Sequence, residues 1–185
     1  MTGRADFSHV EWELLVRGFT RPAELVSLAE PGGIVLETVH MFLAFGEARK
    51  RFVSFDLIQE LLQPFAEEEI HRRIEEARRF SQEPVSFERY HEMVLNDLRY
   101  AMETLRAKAT AEEVEAYQQM VLYICQRVAA AYDEQYQGQH DLQGVTPNEQ
   151  AVIDDVQKVL TGPQNWIEKI TEDIRQFFGG GTAKS

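Results

Sequence analysis

The stretch SFERYHEMVLNDLRYAMETLRAKATAEEVEAYQQMVLYICQRVAAAY, residues 86–132, decides the fold class. In its first half Phe87, His91, Val94, Leu98, Met102 and Leu105 return every three or four residues, so a helix brings them to one face. Ser86 stands where that helix needs an N-cap. In the second half Thr110 and Glu113 have the S/T-x-x-E spacing of a capping box, and Val114, Tyr117, Val121, Ile124, Val128 and Tyr132 form another apolar stripe. So little chain separates the two stripes that the pattern predicts an antiparallel helical pair joined by a very short turn.

Toward the N-terminus, Ser8 and Glu11 repeat the capping-box spacing and predict a short helix over Phe7–Gly18, with Gly18 as its stop. Pro22 suits the first turn of a second short helix, ended by Pro31-Gly32-Gly33. Residues 34–48 are apolar nearly all round except for Glu37, His40 and Glu47, the pattern of a central helix. Asp56 can cap a short helix reaching Gln63, and Pro64 separates it from a charged helix over Ala66–Phe80.

Beyond residue 132, Glu134–Gly144 reads as a loop. Thr146, Pro147 and Glu149 then combine two start signals for a helix to Leu160. Trp166, Ile170, Ile174 and Phe177 give a last amphipathic face, and no strand-like alternation occurs anywhere. The expectation is an all-α, single-domain bundle of about seven to eight helices. Residues 1–160 form its body, 161–178 a C-terminal helix packed on it or mediating self-association, and 179–185 a disordered tail.

A chain of 185 residues with 44% hydrophobic and 27% charged side chains can bury one real core. Its 19 basic residues against 31 acidic ones give a net charge of -12, which disfavours nucleic acid and anionic membranes as partners. Residues 111–160 hold nine acids and two bases, which is either a solvated face or an attraction for a cation or a basic partner. Cys125 is the only cysteine, so neither an intrachain disulfide nor a thiolate metal cluster is possible, and its apolar setting predicts a buried, inert thiol. Asp6, Ser8 and His9 interrupt any signal-peptide pattern, and no run approaches the roughly 20 apolar residues of a membrane span. A soluble, cytoplasmic protein is the resulting expectation.

Three histidines follow a glutamate by three residues: Glu37 and His40, Glu68 and His71, Glu88 and His91. That spacing aligns carboxylate and imidazole on a helix, as in carboxylate-bridged di-iron bundles. Glu68 and His71 point away from the apolar stripe of their helix, whereas Glu37, His40 and Glu47 share one stripe and His91 lies on a core face. These four are the candidate metal ligands of a metal-dependent enzyme or metal carrier. The same residues also describe a polar stripe beside a core and a hydrogen-bonded core histidine. No G-x-S-x-G elbow, Walker loop, H-E-x-x-H pair or zinc-finger spacing is present, so the chain reads as non-enzymatic.

The runs Val128-Ala129-Ala130-Ala131-Tyr132-Asp133 and Gly144-Val145-Thr146-Pro147-Asn148-Glu149-Gln150, leading into 151–160, resemble the second half of the tellurite-resistance TerB-like helical family. Leu28 to Ile34 is a fainter echo at the place of that family's internal duplicate. The chain is also similar to bacterial proteins of the same helix order. The likeness covers about a third of the sequence; residues 134–143 interrupt it, and Pro31-Gly32 stands where an acidic Asp-Gly is expected. It implies a duplicated helical fold of bacterial origin and, for some members, divalent metal bound by loop acids. By position those would be Asp133 and Glu149, with Asp141 and Glu134 as neighbours. Hard cations want several oxygens at once, and capping alone explains Glu149. No cofactor follows from the residues themselves, and a divalent metal is the one these two patterns admit. The reading is an interaction or metal-responsive accessory module.

Overall fold

The computed structural model of the chain describes residues 2–29, 34–65, 86–135 and 145–162, with the backbone alone for 34–39 and 131–135. The described residues form six α-helices: α1 (His9–Ser27), α2 (Ile34–Arg51), α3 (Asp56–Leu62), α4 (Phe87–Lys108), α5 (Ala111–Gln135) and α6 (Pro147–Thr161). Single 3-10 turns cover Arg4–Asp6 and Gln63–Phe65, and no strand occurs among the described residues. The all-α expectation therefore holds. The helices expected over 66–80 and 161–178 fall on residues outside the described set, apart from Thr161 and Gly162 at the end of α6.

The two short N-terminal helices are instead one. Ser8 accepts from the Glu11 backbone N–H at 3.3 Å and Glu11 returns to the Ser8 N–H at 2.7 Å, so α1 starts where its capping box predicts. It then runs through both Gly18 and Pro22 to Ser27. Proline in a helix interior removes a hydrogen bond and costs about 3 kcal/mol. Leu15, Phe19, Ala23, Leu25 and Val26 are all fully buried on either side of it. At about 1.5–3 kcal/mol for each large apolar side chain, that burial exceeds the proline penalty and keeps the helix whole.

Gly18 is a close-approach residue, not a stop. A β-carbon on it would stand 2.4 Å from the Tyr117 Oη of α5 and 2.9 Å from the Ala101 Cβ of α4. Only a hydrogen fits, which lets α1 lie in the angle between those helices. Tyr117, fully buried, donates its hydroxyl to the Leu15 carbonyl at 2.7 Å and fixes that crossing.

The α4–α5 turn is as short as expected, Ala109-Thr110, but α4 makes its long packing against α1 and approaches α5 at few backbone positions. Residues 34–48 lie in α2 and bury Phe42, Ala44, Phe45 and Ala48, whereas Leu43 is 51% exposed. It is α5 that contacts every other helix. Four of the six stripe residues, Tyr117, Val121, Ile124 and Val128, are buried, Val114 is half-buried, the Tyr132 side chain lies outside the described residues, and Ala116, Met120, Cys125 and Ala129 widen the face.

Four phenylalanines lock the α1–α2 side. Phe45 lies 4.8 Å from Phe65 and 5.5 Å from Phe19 between ring centroids, both edge to face, and Phe42 reaches Phe45 at 6.0 Å. Asp56 does not cap α3; it occupies the first helical position after Phe55, which makes no side-chain cap bond. At the other end of the molecule the N-terminus is tied to α5. Thr2 donates its backbone N–H and its hydroxyl to the two carboxylate oxygens of Glu113, at 2.8 and 2.7 Å.

Candidate functional site

The sequence-derived ligands are dispersed. Glu47 is bound by Arg127, Nε to Oε2 at 2.7 Å and a second guanidinium N–H to Oε1 at 3.2 Å, with the Tyr123 hydroxyl at 3.1 Å. These contacts, Arg127 first, hold its carboxyl below the usual carboxylate range although burial opposes them. Glu149 is buried and completes the capping box of α6: it accepts the Thr146 N–H at 2.8 Å, and its own N–H reaches the Thr146 hydroxyl at 3.2 Å. His40 is half-buried on α2. The side chains of Glu37, Asp133 and Glu134, and the whole of Asp141, lie outside the described residues. Among the described residues no group of three or more His, Cys, Asp or Glu side chains converges in a way that could hold a metal.

Cys125 is fully buried, and desolvation pushes its thiol up to about 12, so it is protonated and unreactive near neutrality.

Among the described residues an open seam lies between α4 and α6, which run in the same direction. Phe87 and His91 face Asn148 and Ala151 at one end; at the other, Arg106 donates to the Leu160 carbonyl at 3.0 Å. Two clefts, of about 220 and 360 Å³, follow the seam and share Asp155 as a wall. The first is lined by Leu95, Met102 and Val159 with Arg99, Arg106 and Lys158; the second is lined by Phe87, His91, Ala151 and Val152. Helical geometry makes this a row: His91, Leu95, Arg99, Met102 and Arg106 recur at three and four residues along one side of α4. Val94, Leu98, Ala101 and Leu105 form the neighbouring side, buried in the core.

The groove carries charge opposite to that of the chain as a whole. Lys158 pairs with Asp155 at 2.8 Å, which raises its pKa. Arg99 leans on Asn96 at 2.6 Å, and Arg106 is held by the carbonyl end of α6. His91 stacks on Phe87, ring centroids 6.0 Å apart and planes within 7°, and its Nε2 stands 3.5 Å from Asp155 Oδ2 without a hydrogen bond. An apolar floor edged by three cations suits an apolar segment carrying acids.

No protein-family model, curated protein or solved structure matches the chain. His91, expected on a core face as a metal ligand or as a histidine hydrogen-bonded to a neighbouring helix, is instead 26% exposed beside α6 with its Nε2 unbonded, so sequence reading located it only roughly. That reading missed Arg99, Arg106 and Lys158, because the partners of the groove are separated by about fifty residues and no local spacing links α4 to α6. No helix among the described residues is long and apolar enough to cross a membrane.

Proposed function

We propose that this chain is a non-enzymatic, cytoplasmic interaction module, TerB-like in layout, whose docking face is the α4–α6 groove. The observation that carries the reading is the groove itself: Leu95, Met102 and Val159 beneath Arg99, Arg106 and Lys158, in a molecule of net charge -12. An amphipathic helix with acidic flanks is the occupant that such a surface recognises, with the apolar floor supplying affinity and the cations register. The test is a photo-crosslinking side chain at Lys158, in the groove, and at Gln119, exposed on α5, in cells that make the protein. Crosslinks to another protein that form from 158 and not from 119 are expected. Equal labelling from both positions would sink the reading.

A second reading, a divalent-metal site, has one observation in its favour, the unpartnered Nε2 of His91 beside Asp155. Asp133 and Glu149, which were expected in or beside a loop from Glu134 but stand on α5 and in the first turn of α6, with Asp141, or else Glu37, His40 and Glu47, would have to join in for a full ligand set. Calorimetric titration with manganese, zinc and calcium decides between them. The docking reading expects no saturable heat, whereas a metal site gives one that His91→Ala or Asp133→Ala abolishes.

A further inference from the structure

The arginines of the groove are partnered differently from the cations that join helices elsewhere. Arg21 of α1 meets Asp97 of α4, Lys108 of α4 meets Glu11 of α1, and Arg127 of α5 meets Glu47 of α2, so each of these contacts ends on a carboxylate. In the groove Lys158 has Asp155, but Arg99 donates to the amide oxygen of Asn96 at 2.6 Å, and Arg106 to the Leu160 and Gly162 carbonyls at 3.0 and 3.4 Å. Both arginines are half-buried, and neither meets a carboxylate among the described residues. The carbonyl end of α6 carries about half an elementary charge, which offsets part of Arg106 and none of Arg99. A chain with 31 acids thus leaves two guanidiniums on neutral oxygens at the rim of an apolar cleft.

Their spacing narrows the ligand. Leu95, Arg99, Met102 and Arg106 form one stripe of α4, apolar and basic in turn. At 1.5 Å per residue Arg99 and Arg106 stand about 10 Å apart along the axis. Arg99 is drawn back toward Asn96 while Arg106 is held at the end of α6, which keeps the two heads apart. A single carboxylate or phosphate is too small to serve both. Two acids about 10 Å apart serve one each, and on a helix that distance is seven residues, which also returns them to the same face.

We infer that the occupant of the α4–α6 groove is a partner helix bearing two carboxylates seven residues apart, with an apolar residue between them on the same face. One acid meets Arg99, the other meets Arg106, and the apolar residue rests on Met102 and Val159. This rests on the docking reading above and specifies the partner which that reading leaves general. Charge-assisted, bidentate pairing sets the register, and the central contact supplies affinity.

The experiment titrates the purified full chain into fluorescent helical peptides and follows anisotropy. The first peptide is built of alanine, glutamine and leucine with two glutamates seven residues apart and a leucine between them on their face. The second has the same composition with the glutamates four residues apart, and the third has one phosphoserine and no glutamate. The first should bind at least tenfold tighter than either of the others and weaken as salt rises. Arg99→Glu should weaken it about tenfold, and a peptide with arginine in place of one of its two glutamates should restore binding to that variant. Arg17→Glu, an exposed change on α1, should leave the affinity unchanged. Equal binding of the two glutamate peptides, preference for the phosphoserine peptide, no restoration by either arginine peptide, or no binding at all would each overturn the inference. The docking reading is separable: if crosslinks from 158 and not from 119 reach another protein while the peptides bind without regard to spacing, docking survives and the two-acid partner alone is removed. If the crosslinks are equal and no peptide binds, both fall.

Discussion

Gly18→Ala is expected to destabilise the protein by about 2–4 kcal/mol, although alanine is the better helix former by roughly 1 kcal/mol. The new methyl would stand 2.4 Å from Tyr117 Oη and 2.9 Å from Ala101 Cβ. Tyr117 is fully buried and held by its bond to Leu15, so it yields only by giving up that bond. Overpacking costs about 1–3 kcal/mol and an unmade buried hydrogen bond about 1–3 more, which together outweigh the gain in propensity. Urea unfolding followed by circular dichroism measures it. The double variant Gly18→Ala with Tyr117→Phe should be less destabilised than the sum of the two single ones, because Phe removes the atom in conflict. Strict additivity, or a stabilised Gly18→Ala, would show that α1 does not cross α5 at this point.

Glu113→Ala should cost a similar amount, about 2–4 kcal/mol, from a residue that looks at first like an ordinary cap. Its carboxylate takes three donors: the Thr2 N–H, the Thr2 hydroxyl and the Thr110 N–H at 2.9 Å. Removing it strands two backbone N–H groups at a site only 6% exposed and breaks a capping box worth about 1 kcal/mol. Glu113→Gln keeps the shape and one acceptor, and should lose roughly half as much.

The same carboxylate sets an acid limit. Burial would raise the pKa of Glu113, but the bonds from Thr110 and Thr2 outweigh it and hold the group below its ordinary value near 4.5. Glu11, paired with Lys108 and the Ser8 cap, is lowered to about 2, and Glu47 is lowered by Arg127. For groups depressed in the folded state, stability is fully present above the unfolded pKa and is lost as pH falls through the folded one. The melting temperature should therefore hold down to about pH 5 and drop between about pH 4.5 and 2. In Glu113→Gln that drop should be shallower, since one titrating contributor is gone.

What could be read in advance was local. The boxes at Ser8–Glu11, Thr110–Glu113 and Thr146–Glu149 all form, because each is closed by atoms three residues apart. The middle of the α5 stripe, Tyr117 to Val128, is buried because one helix period governs it. Gly18 and Pro22 misled for the same reason in reverse: a glycine that ends a helix and a glycine that admits a neighbour are identical in sequence, and only tertiary burial separates them. The bond from Thr2 to Glu113 spans 111 positions, and no spacing announces it. The groove was hidden likewise, since no local spacing links Arg99 to Lys158 until α4 and α6 are laid side by side. Phe87, counted with the core stripe, is 39% exposed at the groove mouth.

The placement of α1 has a consequence for synthesis. Its main partners, α4, α5 and α6, all come late in the chain, the nearest beginning at Phe87. Phe19 can meet Phe45 and Phe65 early, but the face that α1 turns to α4, α5 and α6 stays uncovered until the chain from Phe87 onward has been made. Non-local closure of this kind slows folding below the usual pace of helical proteins and leaves a sticky nascent segment. The first described helix thus completes its packing only when the late helices arrive, which makes it a stretch that a chaperone would shield.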